Sequence, residues 1–219
     1  MNKIISLFLV GVLVLTVILS GCAKKESASS RTPEAESLPV LEGKSILMVI
    51  APKEFRDEEF FKPKEIFEEK GAKVAVASTT ADIATGMLGM TVKPDSKISD
   101  VNMKDYDAIV IVGGIGSKKH LWGNSRLITL VQDAYNQDKI ISAICLSPPV
   151  LAKASILEGK KATVFPDQEA IDELKKNGAT YVNENVVASD RIVTARGPES
   201  AKEFGEALVK MFRDKKVVQ

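Results

Sequence analysis

The sequence reads IISAICLSPPV from Ile140 to Val150. An apolar run stops at a cysteine, and the pair Pro148–Pro149 follows. A run without polar alternation is the pattern of a strand covered on both faces. Proline suits the first turn of a helix, where its missing N–H has no partner to lose. The stretch therefore predicts a strand over Ile140–Ile144, a tight turn at Cys145, and a helix over Pro148–Ala154. Ala143 and Ser147, two before and two after the thiol, are small enough to relieve crowding there, as in the Gly-x-Ser-x-Gly elbow of hydrolases. The pattern aims the thiol at the amino end of a helix, which favours thiolate, the reactive form. A cysteine at a strand end is also a common packing residue, so the elbow alone leaves both roles open.

The same grammar extends outward. SILMVIA (Ser45–Ala51), VAVAS (Val74–Ser78) and DAIVIVGG (Asp107–Gly114) predict further strands. So do Thr163–Phe165 and a hairpin of Val186–Val187 with Ile192–Thr194, turning at Ser189–Asp190. Ala84–Lys93 reads as a hairpin around Gly89. Between them lie amphipathic stretches: Glu58–Lys70 closed by Gly71, Asn124–Asp138, Gln168–Asn177 closed by Gly178, and Pro198–Phe212. Strand–helix alternation predicts an α/β fold, a mostly parallel sheet with helices on both faces. Ligands then sit outside the carboxyl ends of the strands. Three such ends carry unusual chemistry: Ala51–Glu59, Gly113–Gly114 and Cys145.

The first residues read differently. Met1-Asn2-Lys3 is a short basic start, Ile4–Leu19 is largely apolar, and Leu19-Ser20-Gly21-Cys22 follows. This is the form of a secretory signal, and the cysteine after the small pair resembles the lipobox of prokaryotic lipoproteins. An uncleaved membrane anchor is the plainer alternative. The expectation is a signal peptide over 1–21, an acylated Cys22 with a polar tether over 22–42, and a domain over 43–219, packed from near Leu41. Either reading places the domain at the extracytoplasmic face of the cell membrane. Net charge is +1 with no basic stripe, which argues against nucleic acid. One histidine and the two distant cysteines, Cys22 and Cys145, cannot make a metal cluster. Gly113-Gly114-Ile115-Gly116 lacks the spacing of a dinucleotide fingerprint, so no cofactor is expected.

Ala143-Ile144-Cys145-Leu146-Ser147-Pro148 resembles the elbow of the ThiJ/PfpI family, within the class I glutamine amidotransferase-like superfamily. Phe55-Arg56-Asp57-Glu58-Glu59 resembles the segment carrying that family's glutamate, Val112-Gly113-Gly114 its glycine turn, and Arg196-Gly197-Pro198 the turn before its last helix. The resemblance implies a flavodoxin-like three-layer sandwich, usually a homodimer. It singles out Glu59 beside the Cys145 sulfur, with Gly113, Gly114 and Leu146 offering backbone N–H groups. On the residues alone, the acidic cluster at Glu54, Asp57, Glu58 and Glu59 reads as a solvated helix start.

The resemblance also has gaps. Leu146 stands where the peptidase-like members place histidine, and Phe165 where others place one. Only His120 is available as a base, and it sits among Lys118, Lys119 and Trp122 in what reads as a surface loop. Peptidase activity is accordingly disfavoured. Members with Cys and Glu alone imply glyoxalase- or deglycase-like work on reactive carbonyls, or sensing of oxidants through the cysteine. A binding domain that has lost catalysis, with Trp122 and Phe165 lining its pocket, is the alternative class.

Overall fold

The computed structural model describes residues 40–217. The signal segment, Cys22 and all but the end of the tether lie outside them. The strands are β1 (Ser45–Val49), β2 (Lys53–Phe55), β3 (Lys73–Ser78), β4 (Ala84–Gly86), β5 (Thr91–Val92), β6 (Ser96–Lys97), β7 (Ala108–Ile111), β8 (Ile140–Ile144), β9 (Lys161–Ala162), β10 (Thr180–Tyr181), β11 (Val186–Ser189) and β12 (Ile192–Ala195). The helices are α1 (Asp57–Glu69), α2 (Ile115–His120), α3 (Ser125–Asn136), α4 (Pro148–Lys153), α5 (Gln168–Lys176) and α6 (Ala201–Val217).

Seven strands form the central sheet in the order β11-β12-β8-β7-β1-β3-β6. All neighbours are parallel except β11 and β12. Every residue of β7, β8 and β12 is buried, which is why these segments carry no polar alternation. α1 packs with α6 on one face, and α3 with α4 on the other. This is the flavodoxin-like sandwich that the alternation and the resemblance implied. Leu41 is fully buried and its N–H donates to Lys70 O, so the packed chain includes residues just ahead of β1. No helix among the described residues is long and apolar enough to cross a membrane.

The register decides where chemistry gathers. Val49 lies beside Ile111, Ile111 beside Ala143, and Ile144 beside Ala195. The ends of four parallel strands therefore open on one edge, where Gly113, Cys145 and Arg196 follow directly.

Three local readings need correction. Thr163–Phe165 is not a strand; only Lys161–Ala162 is, paired with β10 apart from the main sheet. The reason is local. Thr163 N–H goes to Thr194 Oγ1 and Phe165 N–H to Cys145 O, so neither donor is free for a ladder. The presumed loop after Gly114 begins with α2. The last helix opens with a 3₁₀ turn at Pro198–Ser200 and continues past Phe212 to Val217. β2, β4 and β5 form a small separate sheet that the short, polar stretch at Lys53–Phe55 gave no means to foresee in full.

Candidate active site

Cys145 follows β8 directly and has φ +61°, a left-handed value that costs a side-chain-bearing residue about 1–2 kcal/mol. The surroundings hold it there. Its N–H donates to Ala195 O at 2.9 Å, and its carbonyl accepts from Phe165 N–H at 3.0 Å. Leu146 O then accepts from Trp122 Nε1 at 2.5 Å and from Ser117 Oγ at 3.3 Å. Ser147 Oγ donates to Val112 O at 2.7 Å and lies 2.8 Å from Ser117 Oγ. Ser147 is therefore a tie as well as a small residue. Trp122 is buried and braces the elbow, and Phe165 lines the site.

α1 delivers the acid. Asp57, buried at its first position, accepts the N–H groups of Leu88 and Met90, both at 2.8 Å, and so ties the β4–β5 turn to the helix start. Arg56 pairs with Glu58 at 2.8 Å, and its own N–H donates to Gly113 O. Of the four clustered acids, Asp57 and Glu59 are buried, and Glu59 is the one beside the thiol. Its Oε2 accepts Gly113 N–H at 3.1 Å, its Oε1 has no hydrogen-bond partner of fitting geometry, and the carboxyl adjoins the Cys145 thiol. A Cβ on Gly113 would stand 2.5 Å from Glu59 Oε2 and 2.6 Å from Cys145 Cβ. The missing side chain of Gly113 is the space in which acid and thiol meet.

Loss of water pushes the Glu59 carboxyl up to about 8, against the downward pull of its contacts with Cys145, Gly113 and Arg56. It is mostly a neutral acid at pH 7. Burial also raises the Cys145 thiol, and a charged Glu59 would raise it further, whereas the N–H groups of Gly114 and Leu146 favour the anion. With Glu59 protonated, the repulsion disappears. The N–H groups of Gly114 and Leu146 face the sulfur, whereas Gly113 gives its N–H to Glu59. The helix end contributes less than expected: α4 has six residues, and Pro148 and Pro149 have no N–H to offer. Gly114 cannot be another residue, with φ +99° and Glu54 O 2.4 Å from any added Cβ.

Cys145 opens on a cleft of about 300 Å³ that Arg56, Met87, Ile115, Lys118 and Phe165 help to line. His120 ends α2 and is not part of that lining. Arg56 and Lys118 are site residues that sequence reading missed. Lys118 pairs with Asp167 at 3.0 Å and Glu169 at 2.7 Å and lies over the Trp122 ring. One lysine in a Lys118–Lys119 pair carries no signal of that position.

Residues 44–211 match the model of the DJ-1/PfpI family. An uncharacterized protein of Methanocaldococcus jannaschii is 56% identical over 165 residues, 75% of this chain and 80% of that one. Protein/nucleic acid deglycase 2 of Escherichia coli is 29% identical over 171 residues, 76% of this chain and 96% of its own length. The crystal structure of a ThiJ/PfpI domain protein from Brachyspira murdochii superposes with a TM-score of 0.74 at 37% identity, covering 78% of this chain and 99% of that one. The elbow, the inward glutamate and the sheet order thus have the same explanation: the chain belongs to the DJ-1/PfpI family.

Proposed function

We propose that the protein is a cysteine-dependent, deglycase-like enzyme acting on small reactive carbonyls, with Cys145 as nucleophile and Glu59 as proton carrier. One observation carries this reading: a carboxyl pushed up to about 8 adjoins a thiol held at a strained elbow on the floor of a cleft. Relatives named as deglycases, including the Escherichia coli protein, support the class. The sulfur adds to the carbonyl carbon, the C=O π pair moves to oxygen, and a carbon–sulfur bond forms. Neutral Glu59 gives its own proton to the new oxygen while its other carboxyl oxygen receives the thiol proton, so the carboxyl ends protonated as it began. Gly114 and Leu146 N–H groups steady the sulfur's charge as it develops. No histidine is needed, which suits a cleft with Phe165 on its wall.

The pH dependence tests the proton carrier. Below about 8 Glu59 holds its proton and serves as acid; above it the carboxylate cannot donate and repels the thiolate. Consumption of methylglyoxal therefore falls about tenfold per pH unit once the pH is well above 8. A rate that keeps rising to pH 10, with the thiolate alone in control, would count against Glu59.

The proposal includes lipid attachment at Cys22, location at the extracytoplasmic membrane face, and a homodimer. The leader ending Leu19-Ser20-Gly21-Cys22 supports the first two, and family membership supports the third. Native mass spectrometry of the membrane fraction is expected to show two copies, each beginning at a diacylated Cys22. An unmodified chain beginning at Met1 would remove the lipid, and a monomer would remove the dimer.

A further inference from the structure

β2 carries one residue too many for its partner. Lys53 pairs with Thr85 and Phe55 with Gly86, so two steps along β2 face one step along β4, and Glu54 is left over as a bulge. Its φ is +58°, a left-handed value in a residue with a side chain. The carboxylate itself stays part-exposed and pairs with Lys119 at 2.5 Å. What the bulge alters is the path of the backbone.

That path lies against the glycine turn after β7. Arg56 N–H donates to Gly113 O at 3.0 Å. A Cβ on Gly114 would stand 2.5 Å from Arg56 N and 2.7 Å from the Phe55 carbonyl carbon, and a Cβ on Gly116 would run into Lys53 O. Gly114 and Gly116 are thus bare where β2 rests on them, backbone to backbone. A peptide unit is planar and trans, so its C=O and N–H point in opposite directions. The unit joining Gly113 to Gly114 has its C=O held by Arg56 N–H on one side. Its N–H, that of Gly114, is thereby aimed the other way, at the Cys145 sulfur. A bond at the oxygen also polarises the N–H and tightens its hold on a thiolate.

We propose that Glu54 is a positioning residue: its left-handed bulge sets Arg56 N–H on Gly113 O, and so aims the Gly114 N–H that steadies the Cys145 sulfur. The strain at Glu54 maintains the geometry of a site it does not touch. The proposal rests on Cys145 being the reacting atom, and is independent of the compound that the sulfur attacks.

Alkylation by iodoacetamide, followed from about pH 6 to about pH 10, tests it without turnover. Sulfur displaces iodide, a thioether forms at Cys145, and the thiol proton passes to buffer. Arg56 has φ −84°, close to proline's own range. Arg56→Pro lacks the N–H and Arg56→Ala keeps it, while both lack the guanidinium, so their ratio reads the one bond. Arg56→Pro is expected to react about tenfold more slowly than Arg56→Ala, its rate profile lying about one pH unit higher. Glu54→Val, β-branched and ill suited to positive φ, shows the same displacement from wild type. Glu54→Asn, which accepts that conformation, keeps the wild-type profile within about twofold. Lys119→Met does so too, because the ion pair is not the device. Glu59 and Arg56 act on the sulfur, and Lys118 and Asp167 share its cleft; all four are the same in the Glu54 and Lys119 variants. Equal profiles for Arg56→Pro and Arg56→Ala would overturn the role. So would a Glu54→Val protein that unfolds at lower urea while its alkylation profile stays in place, since the bulge would then be structural only. Methylglyoxal consumption separates this from the proposed activity: wild type that consumes none would end the carbonyl reading and leave the alkylation profiles to stand or fall by themselves.

Discussion

Cys145→Ser is expected to lower methylglyoxal consumption at least about a thousandfold while leaving the fold intact. Serine is nearly isosteric and meets the same backbone demand at φ +61°, so the ties to Ala195 O and from Phe165 N–H remain. What changes is nucleophilicity. A hydroxyl is far harder to ionise than a thiol, and Glu59, up at about 8, is too weak a base to compensate. His120 does not line the cleft and cannot rescue it. The measurement is loss of methylglyoxal with time, corrected for reaction with surface lysines and arginines by heat-denatured protein. Equal consumption by wild type and variant would leave the cleft as a binding site only.

Glu59→Gln is expected to abolish the pH dependence that Glu59 gives to stability, and to cost at least about a hundredfold in turnover. The ordinary value of the carboxyl is 4.5, and in the fold it rises to about 8. Between these values the unfolded chain releases a proton that the folded chain keeps. The group's stabilising contribution is therefore complete below 4.5 and is lost as the pH rises towards 8. Each unit is worth about 1.4 kcal/mol, so from pH 5 to pH 7.5 the wild type loses about 3 kcal/mol that the glutamine variant does not. Urea unfolding of both proteins across that range reads the difference directly. Parallel stability curves would mean that Glu59 ionises normally, and the proton-carrier role would fall with it. A site that weakens its fold at neutral pH to keep an acid protonated is holding strain for chemistry.

Much of this was legible in the sequence, for identifiable reasons. The core strands were plain because burial on both faces leaves only apolar residues in β7 and β8. The elbow was plain because the small Ala143 and Ser147 flank Cys145 and Pro148 opens the helix that follows. The exact donor set was not. Gly113 and Gly114 are identical in sequence, yet one N–H serves Glu59 and the other the sulfur, a distinction set by how α1 meets β7. Arg56 and Lys118 stayed hidden because surface charges look alike until a fold turns some of them towards a cleft. The strand expected at Thr163–Phe165 failed because a side chain, Thr194, and the elbow carbonyl took the donors a ladder would have used.

The chain enters the fold at Val40–Leu41, just ahead of the amino end of β1, whereas the thiol stands past the carboxyl end of β8. Parallel strands make these opposite poles of the sheet. Residues Val40–Leu41 therefore stand at the far end of the sheet from the cleft, whose mouth their packing leaves uncovered.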